Sequence, residues 1–113
     1  MLDALYLLGG FIMLKKEFYN ALNSNLRGKA DINTESLKGG SHLIVYKLGH
    51  DKNSLIGNPF IKVVINHNVV DIYTYDNETN HMTLISSIDW NKAFKANMVS
   101  LTQKEIEKQL TVI

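Results

Sequence analysis

Few residues of this chain are able to do chemistry. The first is His42, which stands between a glycine pair and an apolar run in KGGSHLIVYK (Lys38 to Lys47). A histidine acts as a general base when a second group orients it, and no such group adjoins His42 in the sequence. The four histidines (His42, His50, His67 and His81) show no HxH or HExxH spacing, so they spell no zinc-type ligand set. DNETN (Asp76 to Asn80) begins like a calcium loop, but His81 occupies the glycine position and Ser87 that of the bidentate glutamate. It reads instead as a hairpin connection. Ser86-Ser87 lacks a nucleophile-elbow context, and Gly39-Gly40 and Gly49 with Gly57 match no phosphate-binding fingerprint. The chain has no cysteine, which excludes a disulfide scaffold, Cys-ligated zinc and thiol chemistry. No catalytic residue, metal or cofactor is expected.

One short stretch carries a family likeness. Gly40-Ser41-His42, ahead of an alternating strand and behind an amphipathic helix, resembles the HicA-type toxins, small RNA-cleaving proteins with a dsRBD-like fold. That resemblance implies a catalytic role for His42 and an RNA substrate. It covers those three residues and little more. A long loop (49–59) and three further strands replace the family's compact three-strand layout, and its Gly-Thr-Leu helix has no counterpart. An RNA-binding or RNA-cleaving protein using His42 is therefore the alternative reading of function.

The elements that must position any site follow from periodicity. Leu14, Phe18, Leu22 and Leu26 form a helical stripe, with Lys15, Lys16, Asn20 and Asn23 off it. Gly28 ends that helix. Residues 27–41 are polar and predict a connection, with Asn33 or Thr34 capping a single turn through Leu37. His42 to Leu48 alternates as a strand. The loop 49–59 follows, and Asn58 before Pro59 is expected to be extended. IKVVINHNVVDIYTY then predicts two strands about a tight turn at His67-Asn68, since Asn and His tolerate positive φ. In that register Asn66 opposes Val69, Val64 opposes Asp71, Lys62 opposes Tyr73 and Phe60 opposes Tyr75. Ile61, Val63, Ile65, Val70 and Ile72 share the other face, and a slip of one residue would scatter them. A further strand is expected to send Met82, Leu84 and Ile88 to that apolar face and His81, Thr83 and Ile85 to the opposite one. Asp89 predicts the cap of a helix with the stripe Trp90, Phe94 and Met98. Thr102 with Glu105 predicts a capping box, and Leu101 with Ile106 a hydrophobic staple, for a last helix. The expected fold is α+β: a four-stranded antiparallel meander with an N-terminal helix and two short C-terminal helices packed on one face.

What remains as a site is a surface. The register gathers Phe60, Lys62, Asp71, Tyr73, Tyr75 and His81 on the face away from the core, with Val64, Thr83 and Ile85 among them. Aromatics mixed with charges are the usual composition of a protein-binding hot spot. Aromatics on a sheet also stack nucleic-acid bases, but the charge balance disfavours that partner. Twelve basic and 11 acidic side chains leave a net charge of +1, without the basic stripe of a duplex binder. A chain of 113 residues holds one domain, 1–113.

Eleven of the basic residues are lysine, Arg27 is the only arginine, and twelve residues are asparagine. Lys and Asn have A-rich codons, so the coding is AT-rich, as in a low-GC bacterium, its phages and its mobile elements. ALYLLGGFIML (Ala4 to Leu14) is too short for a membrane span, which needs roughly 20 residues, and Asp3 precedes it where an export signal carries positive charge. A cytoplasmic protein without a membrane partner is expected. Gly9-Gly10 can be encoded by GGAGG plus one base, a consensus ribosome-binding sequence, and Met13 follows at start-codon distance. Residues 1–12 then read as a translated leader with the natural start at Met13; the other reading is a native helix over Asp3 to Leu8 capped by Gly9. The functional expectation is a small non-catalytic module that binds a host protein stoichiometrically, as inhibitor or adaptor. The oligomeric state and the partner's identity are not written in the sequence.

Overall fold

The computed structural model describes residues 15–37, 40–50, 58–66, 69–89 and 95–113. Its order is α1 (Lys15–Leu26), β1 (Ala30–Leu37), β2 (Gly40–Lys47), β3 (Phe60–Asn66), β4 (Val69–Asp76), β5 (His81–Asp89) and α2 (Lys95–Leu110). The strands form one antiparallel sheet in sequence order, β1-β2-β3-β4-β5. Both helices contribute to the core on one of its faces, giving a two-layer α+β domain.

The core follows from the predicted alternation. Leu43 and Val45 from β2, Ile61, Val63 and Ile65 from β3, and Val70 and Ile72 from β4 point to one side. Phe18, Leu22 and Leu26 of α1 and Met98 and Ile106 of α2 close over them. Tyr19 joins this layer and its phenol oxygen accepts the Ile65 N–H at 3.1 Å. That backbone donor would otherwise be buried without a partner. Lys29, in the turn after α1, pairs with Glu107 of α2 at 3.1 Å on the surface.

The hairpin of β3 and β4 adopts the predicted register in full, from Phe60 opposite Tyr75 to Asn66 opposite Val69. Three expectations need correction. The polar stretch read as a connection with one helical turn contains β1, so the sheet has five strands rather than four. Ala30 and Ile32 turn to the core while Asp31 and Asn33 turn away, and the Asp31 carboxylate accepts the Gly49 N–H at 2.7 Å. Gly49 sits at φ +87°, a backbone region that favours glycine, just after β2.

The second correction concerns Thr102. It does not start a helix: α2 runs unbroken through it, and Thr102 is fully buried among the core-facing residues Met98 and Ile106. The Thr-x-x-Glu pattern arises inside the helix, where the Glu105 carboxylate accepts from the Gln109 side chain at 2.8 Å. Leu101 is exposed while Ile106 is buried, so no staple joins them. Asp89 is the last residue of β5, opposite Val69, and a single C-terminal helix, α2, is present among the described residues.

The third correction is a β-bulge. Ile72 opposes Ser86 but Tyr73 opposes Leu84, leaving Ile85 as an extra residue of β5. The bulge inverts the first half of β5 against expectation. Met82 and Leu84 stand with Tyr75 and Tyr73, whereas Thr83 stands with Thr74 and His81 opposes Asp76. The expected leader 1–12, the start at Met13, the helix over Asp3 to Leu8, the turn at His67-Asn68, most of the loop 49–59, and Trp90 and Phe94 lie outside the described residues.

Candidate functional site

The face of the sheet away from the helices is built of three cross-strand rows. The first runs Asp31, Tyr46, Phe60, Tyr75, Met82; the second Asn33, Ile44, Lys62, Tyr73, Leu84; the third His42, Val64, Asp71, Ser87. Of the six residues expected to form a binding surface, Phe60, Lys62, Asp71, Tyr73 and Tyr75 share this face. His81 does not: opposite Asp76 it has the other parity and leaves the group. Met82 and Leu84 replace it, and only knowledge of the bulge could have placed them here.

The first row is an aromatic ladder. Tyr46 meets Phe60 edge to face with centroids 5.6 Å apart, and Phe60 stacks on Tyr75 at 4.7 Å and 17°. Such pairs are worth about 0.5–1.5 kcal/mol beyond their buried area. The Tyr75 hydroxyl also donates to the Asn80 side chain, which lies in the β4–β5 turn with positive φ. Tyr75 is thus engaged within the fold as well as half-exposed. Across the face, burial falls from one side to the other. Ile44 and Tyr46 on β2 are each 5% exposed, the residues of β3 and β4 are half-buried, and Met82 and Leu84 on β5 are 43% and 51% exposed. Tyr73 lies at the boundary, between Lys62 and Leu84.

Among the described residues, the Asp71–Ser87 pair and His42 of this face stand apart. Ser87 donates to the Asp71 carboxylate at 2.7 Å. His42 lies in the same row but two strands away, with Val64 between. Two strand spacings, about 10 Å between backbones, are too far for a hydrogen bond. His42 itself is half-buried within β2, in register with Glu35 and Val64.

The β4–β5 turn satisfies itself. The Asp76 carboxylate accepts the Glu78 N–H at 2.9 Å, and this bond, with further bonds from Thr79 and the nearby His81, holds its carboxyl below the usual range. Its oxygens are directed at the turn's own donors, the pattern of an Asx-turn rather than a cation loop. Among the described residues no three His, Asp or Glu side chains are grouped to hold a metal ion. Among them, too, no helix is long and apolar enough to cross a membrane. No protein-family profile, curated protein or solved structure matches this chain.

Proposed function

We propose that the protein is a small non-catalytic binding module that engages a partner protein through the β3–β5 part of its second sheet face. The observation that supports this most directly is the exposure of Met82 and Leu84 beside half-buried Tyr73 and the Phe60–Tyr75 stack. Contiguous aliphatic and aromatic surface of this kind is what a protein interface buries at its centre. Lys62 and Asp71 flank it and suit the polar rim. Among the described residues of this face one lysine is set against Asp71 and Asp89, which makes a poor phosphate surface, so a nucleic-acid partner is less well supported. With AT-rich coding, the reading extends to a cytoplasmic protein of a low-GC bacterium, or of its phage or mobile element, acting stoichiometrically on a host protein as inhibitor or adaptor.

The test uses Tyr73→Ala combined with Leu84→Ala, because Tyr75 also serves the fold. Each anchor at an interface centre commonly contributes about 2 kcal/mol, so the pair should weaken partner binding by about a hundredfold or more. Binding unchanged in a folded double variant would move the interface off this face.

A further inference from the structure

We propose that the outer edge of β5, from Met82 to Ile85, accepts an added strand: an extended partner segment with alternating aliphatic side chains flanked by lysine or arginine. This rests on the partner-binding reading above and specifies what the partner presents. The sheet ends at β5, which pairs with β4 alone among the described strands. An edge strand displays unpaired backbone donors and acceptors, and proteins usually blunt it with charge or proline. The two edges of this sheet differ in that respect. β1 carries Asp31 and Glu35, whereas β5 has neither a charge nor a proline from Met82 to Ile88.

Side-chain exposure singles out the first half of β5. Met82 and Leu84 are exposed on the second face, Thr83 on the helix-bearing face, and Ile85 at the bulge is 38% exposed. An added strand would complete the backbone ladder and cover these side chains from both faces at once. The charge of its flanks follows from what borders the edge. Asp76 and Glu78 precede it, Asp89 closes it and Asp71 lies on the adjoining strand, while Lys62 is two strands in. A basic-flanked segment complements that border.

A second copy of this chain fits less well. Antiparallel pairing of β5 with itself about a two-fold axis opposes residues whose numbers differ by an even amount, and opposed residues must share a face. The bulge gives His81 to Leu84 the opposite parity from Ser86 to Asp89. Self-pairing in matched faces therefore cannot continue across the bulge. An independent strand has no such two-fold constraint.

The experiment adds end-blocked Lys-Val-Thr-Ile-Thr-Val-Lys to the full chain and follows amide hydrogen exchange by NMR. Expected are added protection at alternate residues of Met82 to Ile85 and loss of binding when the central Ile is replaced by Pro. Replacing both flanking Lys by Glu should weaken binding about tenfold at low salt. Leu84→Lys should weaken binding while the remaining spectrum is preserved. No binding of the Lys-flanked peptide, or protection along β1 instead, would overturn the proposal. Perturbation of Tyr73 and Tyr75 without protection in β5 would also overturn it while leaving the partner-binding face standing. So would concentration-dependent self-association that protects β5 in the absence of peptide.

Discussion

Replacing Thr102 by Val should stabilise this protein. Thr102 lies in the middle of α2, fully buried, and its hydroxyl oxygen has no hydrogen-bond partner among the described residues. In the unfolded chain that hydroxyl is hydrated, so folding strips its water and returns nothing, a cost of about 1–3 kcal/mol. Valine has the same branched shape and nearly the same helix propensity. The substitution should therefore change little besides exchanging the hydroxyl for a methyl, and we expect a gain of about 1–2 kcal/mol after incomplete repacking. For a domain of this size that is a rise in Tm of roughly 5 °C or more. The opposite sign follows if Thr102 caps a helix, as Thr-x-x-Glu suggests: losing the cap would cost about 1 kcal/mol. Urea unfolding monitored by far-UV circular dichroism, with parent and variant compared at equal m-value, separates the two. Destabilisation by more than about 0.5 kcal/mol would refute the buried, unpartnered hydroxyl. Thr102→Ala is the companion, and it should be less stable than Thr102→Val because it leaves the methyl's space empty.

Deleting Ile85 should be tolerated, because removing the extra residue turns the bulge into a regular ladder while every other β5 residue keeps its partner. An unfolded deletion variant would show that β5 pairs with β4 in another register. Tyr19→Phe should cost about 1–3 kcal/mol by leaving the buried Ile65 N–H without its acceptor; urea unfolding at neutral pH measures it. Burial raises the Tyr19 pKa above its ordinary 10.0, so its contribution is intact below pH 10.0 and declines as pH rises through the folded-state value. The slope of stability against pH above 10.0 should accordingly be shallower in Tyr19→Phe than in the parent. At the acid end, Asp76 is lowered first by the Glu78 N–H, and Glu107 first by the Gln103 side chain and then by Lys29. Lowered carboxyls stabilise above their ordinary values of 3.8 and 4.5, and the contribution is lost as pH falls through the folded-state values. Asp76→Asn with Glu107→Gln should flatten the acid limb of the stability curve, and an unchanged limb would contradict these bonds.

The hairpin of β3 and β4 was legible because its strands alternate strictly, and only one register gathers Ile61, Val63, Ile65, Val70 and Ile72 on one face. The α1 stripe was legible for the same reason at period 3.6. β1 was hidden because ADINTESL spends its alternation on Ala30 and Ile32 alone, amid residues of low strand propensity. Its position comes instead from tertiary pairing with the strongly apolar β2. The Thr102 capping signature misled because the same spacing occurs wherever Thr and Glu fall three apart inside a helix. The candidate face was half legible. Phe60, Lys62, Asp71, Tyr73 and Tyr75 came directly from the hairpin register, but Met82 and Leu84 depend on a bulge that no local residue pattern announces. The apolar Met82, Leu84 and Ile88 look like one alternating face until Ile85 is removed from the count.

Stoichiometric binding of a protein through Tyr73 and its neighbours can be checked in one titration. The partner captured from lysate of the native host, after nuclease treatment, is purified and titrated calorimetrically with the parent and with Tyr73→Ala/Leu84→Ala. Expected are a fixed protein-to-protein stoichiometry and an affinity about a hundredfold or more weaker in the folded double variant. Equal affinities would contradict it. So would captured material that disappears with nuclease, together with growth arrest on expression that His42→Ala relieves.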